Sequence, residues 1–371
     1  MKRYINAFLI TAAIGLSVVP AVNIYQGMGA FKNNSQNEMA WFHYSKLYNL
    51  DFTLPYMGYV LYKNGISISP ENVVIGKDGW LFLGDRHASV MSETRGMKQF
   101  NKKRLDNFSE ARKSWDKYVR EQGGSGYFVS IAPNSHTIFR EKMPDWASKN
   151  KSSPNIKYLL NEEKNDQTLV DLSLSLKDIK GNSMHPIYYK TDTHWNEFGS
   201  WYGYKDLQKK IQASIPDLKW LSSNDISFKS NLKNGGDLSR FIRIQNLLTD
   251  IDVRVKIKTS SKIVVTDYKG NTLRVSDTSD RQEDMSKQLI VHTSNALNDK
   301  KVLWLRDSFG VALYPYMNAT FSTIMQQHYQ DVLTNPEYMK KLITEFKPDL
   351  VIITVIERNS LSEYFENAPE H

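Results

Sequence analysis

"VLWLRDSFG", residues 302–310, sets an apolar run directly before a polar turn that contains Ser308 and closes on Gly310. A short apolar run bounded by a turn reads as a buried strand of a parallel sheet. In open α/β sheets, functional groups gather beyond the carboxyl ends of the strands. A serine on such a strand-to-helix turn can project its hydroxyl into a cleft. Helix-end amides then lie near the oxygen on which charge develops. A serine hydroxyl is a weak nucleophile until a base takes its proton, so Ser308 implies a partner elsewhere in the chain.

The best base is His194, in "YKTDTHWNEFG", residues 189–199, where Asp192 stands two positions before it. In extended backbone, residues two apart point to one side, which lets Asp192 orient and charge-stabilise the imidazole. His136, in "APNSHTIF", follows another strand end and is the runner-up base; it and Asn134 are also candidates to line the same cleft at the substrate or the oxyanion. His43, His87, His185, His292 and His328 lie in less suggestive contexts. A zinc reading would need Asp192, His194 and a distant third ligand. Glu197 follows His194 by three, in no zinc pattern, and no second histidine stands at the helical spacing; no metal or other cofactor is expected.

The rest of the chain repeats the α/β theme. "ENVVIGKDGWLFLGD", residues 71–85, reads as two short strands around a tight Asp-Gly turn, with Gly79 and Trp80 structural. A helix is predicted from Asn101, with Leu105, Phe108, Trp115, Tyr118 and Val119 near one face, stopped by Gly123-Gly124. "YFVSIAPN" (127–134), "TLVDL" (168–172), "ATFSTIMQ" (319–326) and "DLVIITVI" (349–356) read as strands. Helices are predicted after His194 and from Pro336. "VRVKIK" alternates with period two and "KIVVTDYKGNTLRV" reads as a hairpin; together they predict a small β insertion at about residues 225–300.

Bulk properties bound the function. The chain has 371 residues, 40% hydrophobic and 12% aromatic, enough for a large core. Aromatic rings also stack on sugars, although most of them serve packing. The net charge is +8, which favours polyanionic partners. The densest basic run, Lys102-Lys103-Arg104, is too short for a nucleic-acid arm, and no zinc finger, RNA-binding signature or P-loop is present, so no nucleic-acid partner is expected. There are no cysteines, hence no disulfides and no thiolate chemistry.

Lys2 and Arg3 precede an uncharged stretch, Tyr4 to Phe31, with the apolar heart "AFLITAAIGLSVVPAV" at 7–22. A positive start before an apolar run is a secretory signal or a membrane anchor with its N-terminus inside. "VPA" at 19–21 is a poor cleavage site, which favours the uncleaved anchor. The expected organisation is therefore residues 1–31 anchor or signal, 32–70 tether, and 71–371 one extracytoplasmic catalytic domain, held at the inner membrane; cleavage and secretion is the alternative.

"VVIGKDGWLFLGD", "VSIAPNSHTIFREKMP", "TDTHWNEFGSWYGY", "GGDLSRF", "LRDSFGVALYPYM" and "KPDLVIITVIER" occur in that order. As a set they resemble the SGNH-hydrolase-like domain of the AlgJ/AlgX family of bacterial polysaccharide O-acetyltransferases, over about residues 70–360. The resemblance implies a three-layer α/β sandwich with a central parallel sheet, in permuted order, the Asp-x-His pair preceding the serine. It implies Ser308 as nucleophile, His194 as base, Asp192 as its partner, and an acetyl-serine intermediate. The partners it implies are a polysaccharide acceptor and a membrane-bound acyltransferase that delivers the acetyl group. Arg306 and Tyr314 are candidates to border the acetyl or glycan site. Ile356-Glu357-Arg358-Asn359 stands where the superfamily has its Gly-x-Asn-Asp block, making Arg358 and Asn359 the oxyanion candidates. The alternatives are an acetylesterase with the same three residues, or a glycan-binding subunit of an export complex without catalysis. The basic charge suits an anionic glycan such as alginate or a capsule.

Overall fold

The fold is that of a computed structural model, which describes residues 2–30, 48–98, 102–148, 159–161, 166–259, 261–277, 281 and 287–369. The chain divides into two units, Met1–Ile68 with Ile242–Ile244, and Ser69–Phe241 with Gln245–His371.

In the first unit a helix runs from Lys2 to Ala30. Its Lys2–Tyr25 portion is long and apolar enough to cross a membrane, the character of a signal anchor or signal peptide. Pro20 lies inside it, where its missing N–H removes one helical hydrogen bond. Residues 32–70 are expected to be a tether. Much of it, including His43, lies outside the described residues, but Leu54–Lys63 is a helix with a proline in its first turn, where the missing N–H costs nothing.

The second unit begins with the predicted hairpin, β1 (Val73–Ile75) against antiparallel β2 (Leu81–Leu83). Asp78 and Gly79 both take positive φ at its turn, 54° and 81°, and the turn is closed by the Trp80 N–H donating to the Lys77 carbonyl at 3.0 Å. Next comes β3 (Gly126–Ala132), then β4 (Leu169–Asp171). β5 (Ile226–Asn234) and β6 (Thr249–Ile257) form a separate two-stranded sheet among the described residues. β7 (Lys262–Asp267), β8 (Thr272–Asp277), β9 (Leu289–Thr293), β10 (Asn298–Arg306), β11 (Phe321–His328) and β12 (Leu350–Ile356) follow. The central sheet has eight strands in the order β4-β3-β12-β10-β11-β9-β7-β8. The five from β4 to β11 are mutually parallel, and β9, β7 and β8 continue antiparallel from β11.

Every residue of β3 and β12 is buried, because helices cover both faces. Tyr127, Val129, Ile131, Leu303, Leu305, Val351, Ile353 and Val355 share one core with Leu105, Phe108, Trp115 and Val119 of the helix Lys102–Glu121, and with Met339, Leu342, Ile343 and Phe346 of the helix Pro336–Phe346. Alternate strand residues point the other way. There the helices Glu197–Ser214 and Gly310–Thr320 pack together, Ser200 Oγ donating to the Ala312 carbonyl at 2.7 Å and Tyr316 Oη to that of Glu197 at 2.6 Å. This is the three-layer arrangement the resemblance implies.

The predicted β insertion, about residues 225–300, supplies two sets of strands. β5–β6 stand apart, but β7, β8 and β9 extend the central sheet, Thr323 pairing with His292 and Ile263 with Thr293. Period-two alternation marks a half-covered strand and says nothing about its partner, so the local hairpin was readable and its docking on β11 was not.

Candidate active site

The carboxyl ends of β3, β12 and β10 lie side by side, with Ala132 opposite Ile356 and Thr354 opposite Arg306. The segments that leave them carry Asn134, Arg358 and Ser308. At the end of β10, Asp307 shapes the turn. Its Oδ1 accepts from the Phe309 N–H at 2.9 Å and its Oδ2 from the Ile356 N–H at 2.7 Å. Burial pushes this carboxyl above its usual range, against the pull of those two N–H groups. Asp307 thus ties the serine turn to the end of β12, and Ser308 projects from a braced corner.

Ser308 Oγ lies 2.7 Å from His194 Nε2, and His194 Nδ1 lies 2.7 Å from Asp192 Oδ1. The Asp-x-His spacing works differently from the extended geometry expected. Residues 191–194 form a bend, and Asp192 Oδ1 also accepts from the His194 N–H at 3.0 Å. The carboxylate reaches the imidazole because it caps the local backbone. Trp195 is buried as a packing residue, and its Nε1 donates to the Phe309 carbonyl at 2.9 Å, which fastens the histidine bend to the serine turn.

The bend has a second brace that the sequence reading did not assign. Asp237 accepts from the Thr193 N–H at 2.8 Å and from Thr193 Oγ1 at 2.6 Å. Its own N–H donates to Asp192 Oδ2 at 3.1 Å, and its Oδ2 lies 3.8 Å from His194 Nδ1. Gly236 donates to Thr191 Oγ1 at 2.9 Å. The signal available was the double glycine of "GGDLSRF", which marks a close backbone approach.

The charges are interdependent. Burial would raise the Asp192 carboxyl, but the hydrogen bond and charge of His194 and the N–H groups of Asp237 and His194 hold it well below the usual carboxylate range. Burial would lower His194; the Asp192 hydrogen bond and the charges of Asp192 and Asp237 outweigh it and raise the imidazole above its ordinary value. Asp237 is raised by burial and by the neighbouring Asp192 charge.

Asp237 also supplies the third group that a metal reading required, for donor atoms of Asp192, His194 and Asp237 lie within 4.8 Å of one another. Yet His194 Nδ1 is hydrogen-bonded to Asp192, and both carboxylates already accept two or more N–H or O–H donors. Oxygens committed in this way suit a hydrogen-bonded relay better than a ligand set.

The remaining candidates separate. Arg358 stands at the site, its guanidinium 5.8 Å from the Phe309 ring centroid and its Nη1 donating to Asn134 Oδ1 at 3.0 Å. Its charge acts on both His194 and Asp307. Asn134 in turn donates its N–H to Glu357 Oε2 at 2.9 Å, and burial pushes that carboxyl up to about 7. Asn359 turns elsewhere, its Nδ2 donating to Tyr329 Oη at 3.3 Å. His136 is buried against Thr94 Oγ1 at 2.9 Å, and burial pushes its imidazole down to about 3; it stays a neutral packing group. Arg306 and Tyr314 do not border an open site, since both side chains are fully buried. Strand alternation sends Arg306 under the helix Gly310–Thr320, where its Nε donates to Gln326 Oε1 at 2.9 Å. Tyr314 lies inside that helix, among Arg274, Asn318 and Arg306.

An eight-stranded, mainly parallel sheet between helical layers, with a serine turn beyond a central strand facing a histidine bend, defines an α/β protein of the SGNH-hydrolase-like class. The family model of the SGNH hydrolase-like domain, acetyltransferase AlgX, matches residues 73–292, and the chain belongs to that family. The matched span includes Asp192, His194 and Asp237 and ends before Ser308. No curated protein matches the chain by sequence. Among solved structures the chain is similar to a DHHW family protein from Eubacterium siraeum DSM 15702, with TM-score 0.54 and 17% identity over 71% of this chain and 90% of that one. It is also similar to Bacillus cereus PatB1 with a sulfonyl adduct, with TM-score 0.54 and 14% identity over 80% and 99%. The O-acetyltransferase domain of Pseudomonas putida AlgJ aligns at TM-score 0.47 and 15% identity over 79% and 93%. At these identities the structural likeness concerns the fold alone.

Proposed function

We propose that the protein is an extracytoplasmic O-acetyltransferase that moves an acetyl group to a hydroxyl of a bacterial polysaccharide through acetyl-Ser308. The observation that carries this reading is the 2.7 Å approach of His194 Nε2 to Ser308 Oγ, continued by Asp192 at 2.7 Å. In the first half-reaction His194 takes the hydroxyl proton as Oγ attacks the acetyl carbonyl carbon. The bond to the donor's oxygen then breaks and His194 returns the proton to that leaving group. In the second, His194 takes the proton of a sugar hydroxyl, which attacks the acetyl carbon; the ester bond to Oγ breaks and Ser308 regains its proton. The carbonyl oxygen carries the negative charge in each half. The Phe309 and Gly310 amides are engaged by Asp307, so the Ser308 N–H and the Arg358 guanidinium are the donors assigned to it. A membrane-bound acyltransferase is the proposed source of the acetyl group. The domain organisation proposed is an anchor, a lead-in with its own helix, and one catalytic unit.

Incubation of the protein with an activated acetyl ester and a panel of anionic and neutral glycans tests this directly. Mass spectrometry is expected to find acetyl on the Ser308 peptide, discharged faster by one glycan than by buffer. Discharge to water alone, at a rate that no glycan changes, makes the protein an esterase. No acetyl on Ser308 removes the covalent mechanism.

The charges around His194 set a pH dependence. The imidazole must be neutral to take a proton, and its pKa is raised above the ordinary 6.5. Acetyl-enzyme formation should therefore fall as pH drops through that raised value, and the acid limb should lie above pH 6.5. Asp237→Asn removes one of the charges that raise it, so the acid limb should move to lower pH. A limb that stays in place in this variant means that Asp237 does not act on His194.

A further inference from the structure

The helix Leu54–Lys63 seats one face tightly, and among the described residues nothing covers the other. A Cβ on Gly58 would lie 2.8 Å from the Ile242 carbonyl oxygen, 3.1 Å from Ile244 Cγ2 and 3.4 Å from Ile68 Cδ1. The helix is therefore pressed against those residues of its own unit through a position that admits only glycine. On the outward face Tyr56, Met57 and Val60 follow helical spacing and are 67%, 56% and 60% exposed. Tyr48 and Leu50, just before the helix, are exposed as well. A contiguous exposed apolar set of this kind marks an interaction surface.

The occupant is indicated by what stands next to it. Asn23 Nδ2 donates to the Asn49 carbonyl at 2.7 Å, and Asn23 lies two residues before Tyr25, the end of the apolar span. The backbone at Asn49 is thereby held at the exit of the membrane-crossing helix. Leu54 lies five residue steps after Asn49, a reach of at most ~18 Å. Tyrosines with apolar neighbours, followed by an exposed Lys63, are the composition found where a helix lies in the headgroup layer.

We infer that Leu54–Lys63 is an interfacial helix whose Tyr56, Met57 and Val60 face enters the lipid surface beside the anchor. This rests on the anchor reading of Lys2–Tyr25. A second copy of the chain or a membrane protein covering the same face is the competing outcome.

The absence of cysteine makes the test clean. Full-length single-cysteine variants Tyr56→Cys, Met57→Cys and Val60→Cys, all at exposed positions, carry an environment-sensitive fluorophore and are placed in nanodiscs of brominated or unbrominated phosphatidylcholine with phosphatidylglycerol. Co-elution with the nanodisc reports anchoring by itself; a chain that does not co-elute ends both the anchor reading and this inference. In anchored protein all three labels are expected to shift to the blue and to lose emission in brominated lipid. A blue shift without bromine quenching means that protein covers the face. An unshifted label means that water does. Either result overturns the inference.

Discussion

Ser308→Ala is expected to lower acetyl transfer by at least ~10⁴-fold while leaving the fold intact. The Oγ atom is the one to which the proposed mechanism bonds acetyl, and it lies 2.7 Å from His194 Nε2. His194 keeps its bond to Asp192, and its side chain is 27% exposed, so water can replace the lost hydroxyl at little cost. The thermal midpoint should therefore stay within a few degrees of wild type, about what ~1 kcal/mol changes in a chain of this size. The measurement is glycan-bound acetyl, in the purified reaction and in cells that produce the polymer. Undiminished acetylation by a folded Ser308→Ala protein ends the catalytic reading and leaves a glycan-binding subunit.

Gly236→Ala should have the second largest effect, though Gly236 touches no reacting atom. An added Cβ falls 2.3 Å from Asp192 Cβ and Oδ2 and 2.7 Å from its Cγ. Asp192 cannot turn aside without leaving His194 Nδ1 or the Asp237 N–H, and Gly236 cannot retreat without leaving Thr191 Oγ1. The segments 191–194 and 235–237 must separate. Overpacking of this kind costs about 1–3 kcal/mol, and a displacement near 1 Å at the histidine costs ~10²-fold in rate. Acetyl-enzyme formation measured in single turnover, beside a melting curve, separates the two effects. Wild-type rates with an unchanged midpoint would show that the loops part without moving His194, and that the close approach is not what positions it.

Both variants concern contacts between distant segments, and that is where legibility in the sequence divides. The parallel strands were readable because burial on both faces forces unbroken apolar runs, as in "DLVIITVI". The hairpin at Asp78-Gly79 was readable because few residue pairs accept two positive φ angles in succession. Ser308, His194 and Asp192 were readable as residue types in their contexts, a serine after a strand and a histidine two after an acid. Arg306 and Tyr314 were placed at the site from nearness to Ser308 along the chain. Strand alternation and helix facing bury both, since one residue of shift reverses the direction of a side chain.

Local periodicity and turn chemistry, which act between near neighbours, were thus contained in the order of residues: the apolar runs, the tight turns, the amphipathic helix Lys102–Glu121 and the apolar N-terminal helix. Tertiary structure alone decided that β7, β8 and β9 join the central sheet, that Asp237 braces the histidine bend, that Arg358 and not Asn359 faces the serine turn, and that Leu54–Lys63 has an apolar face that nothing covers among the described residues. Each of these depends on which surfaces meet across a long stretch of chain, and burial and hydrogen bonding settle that only when the whole domain closes.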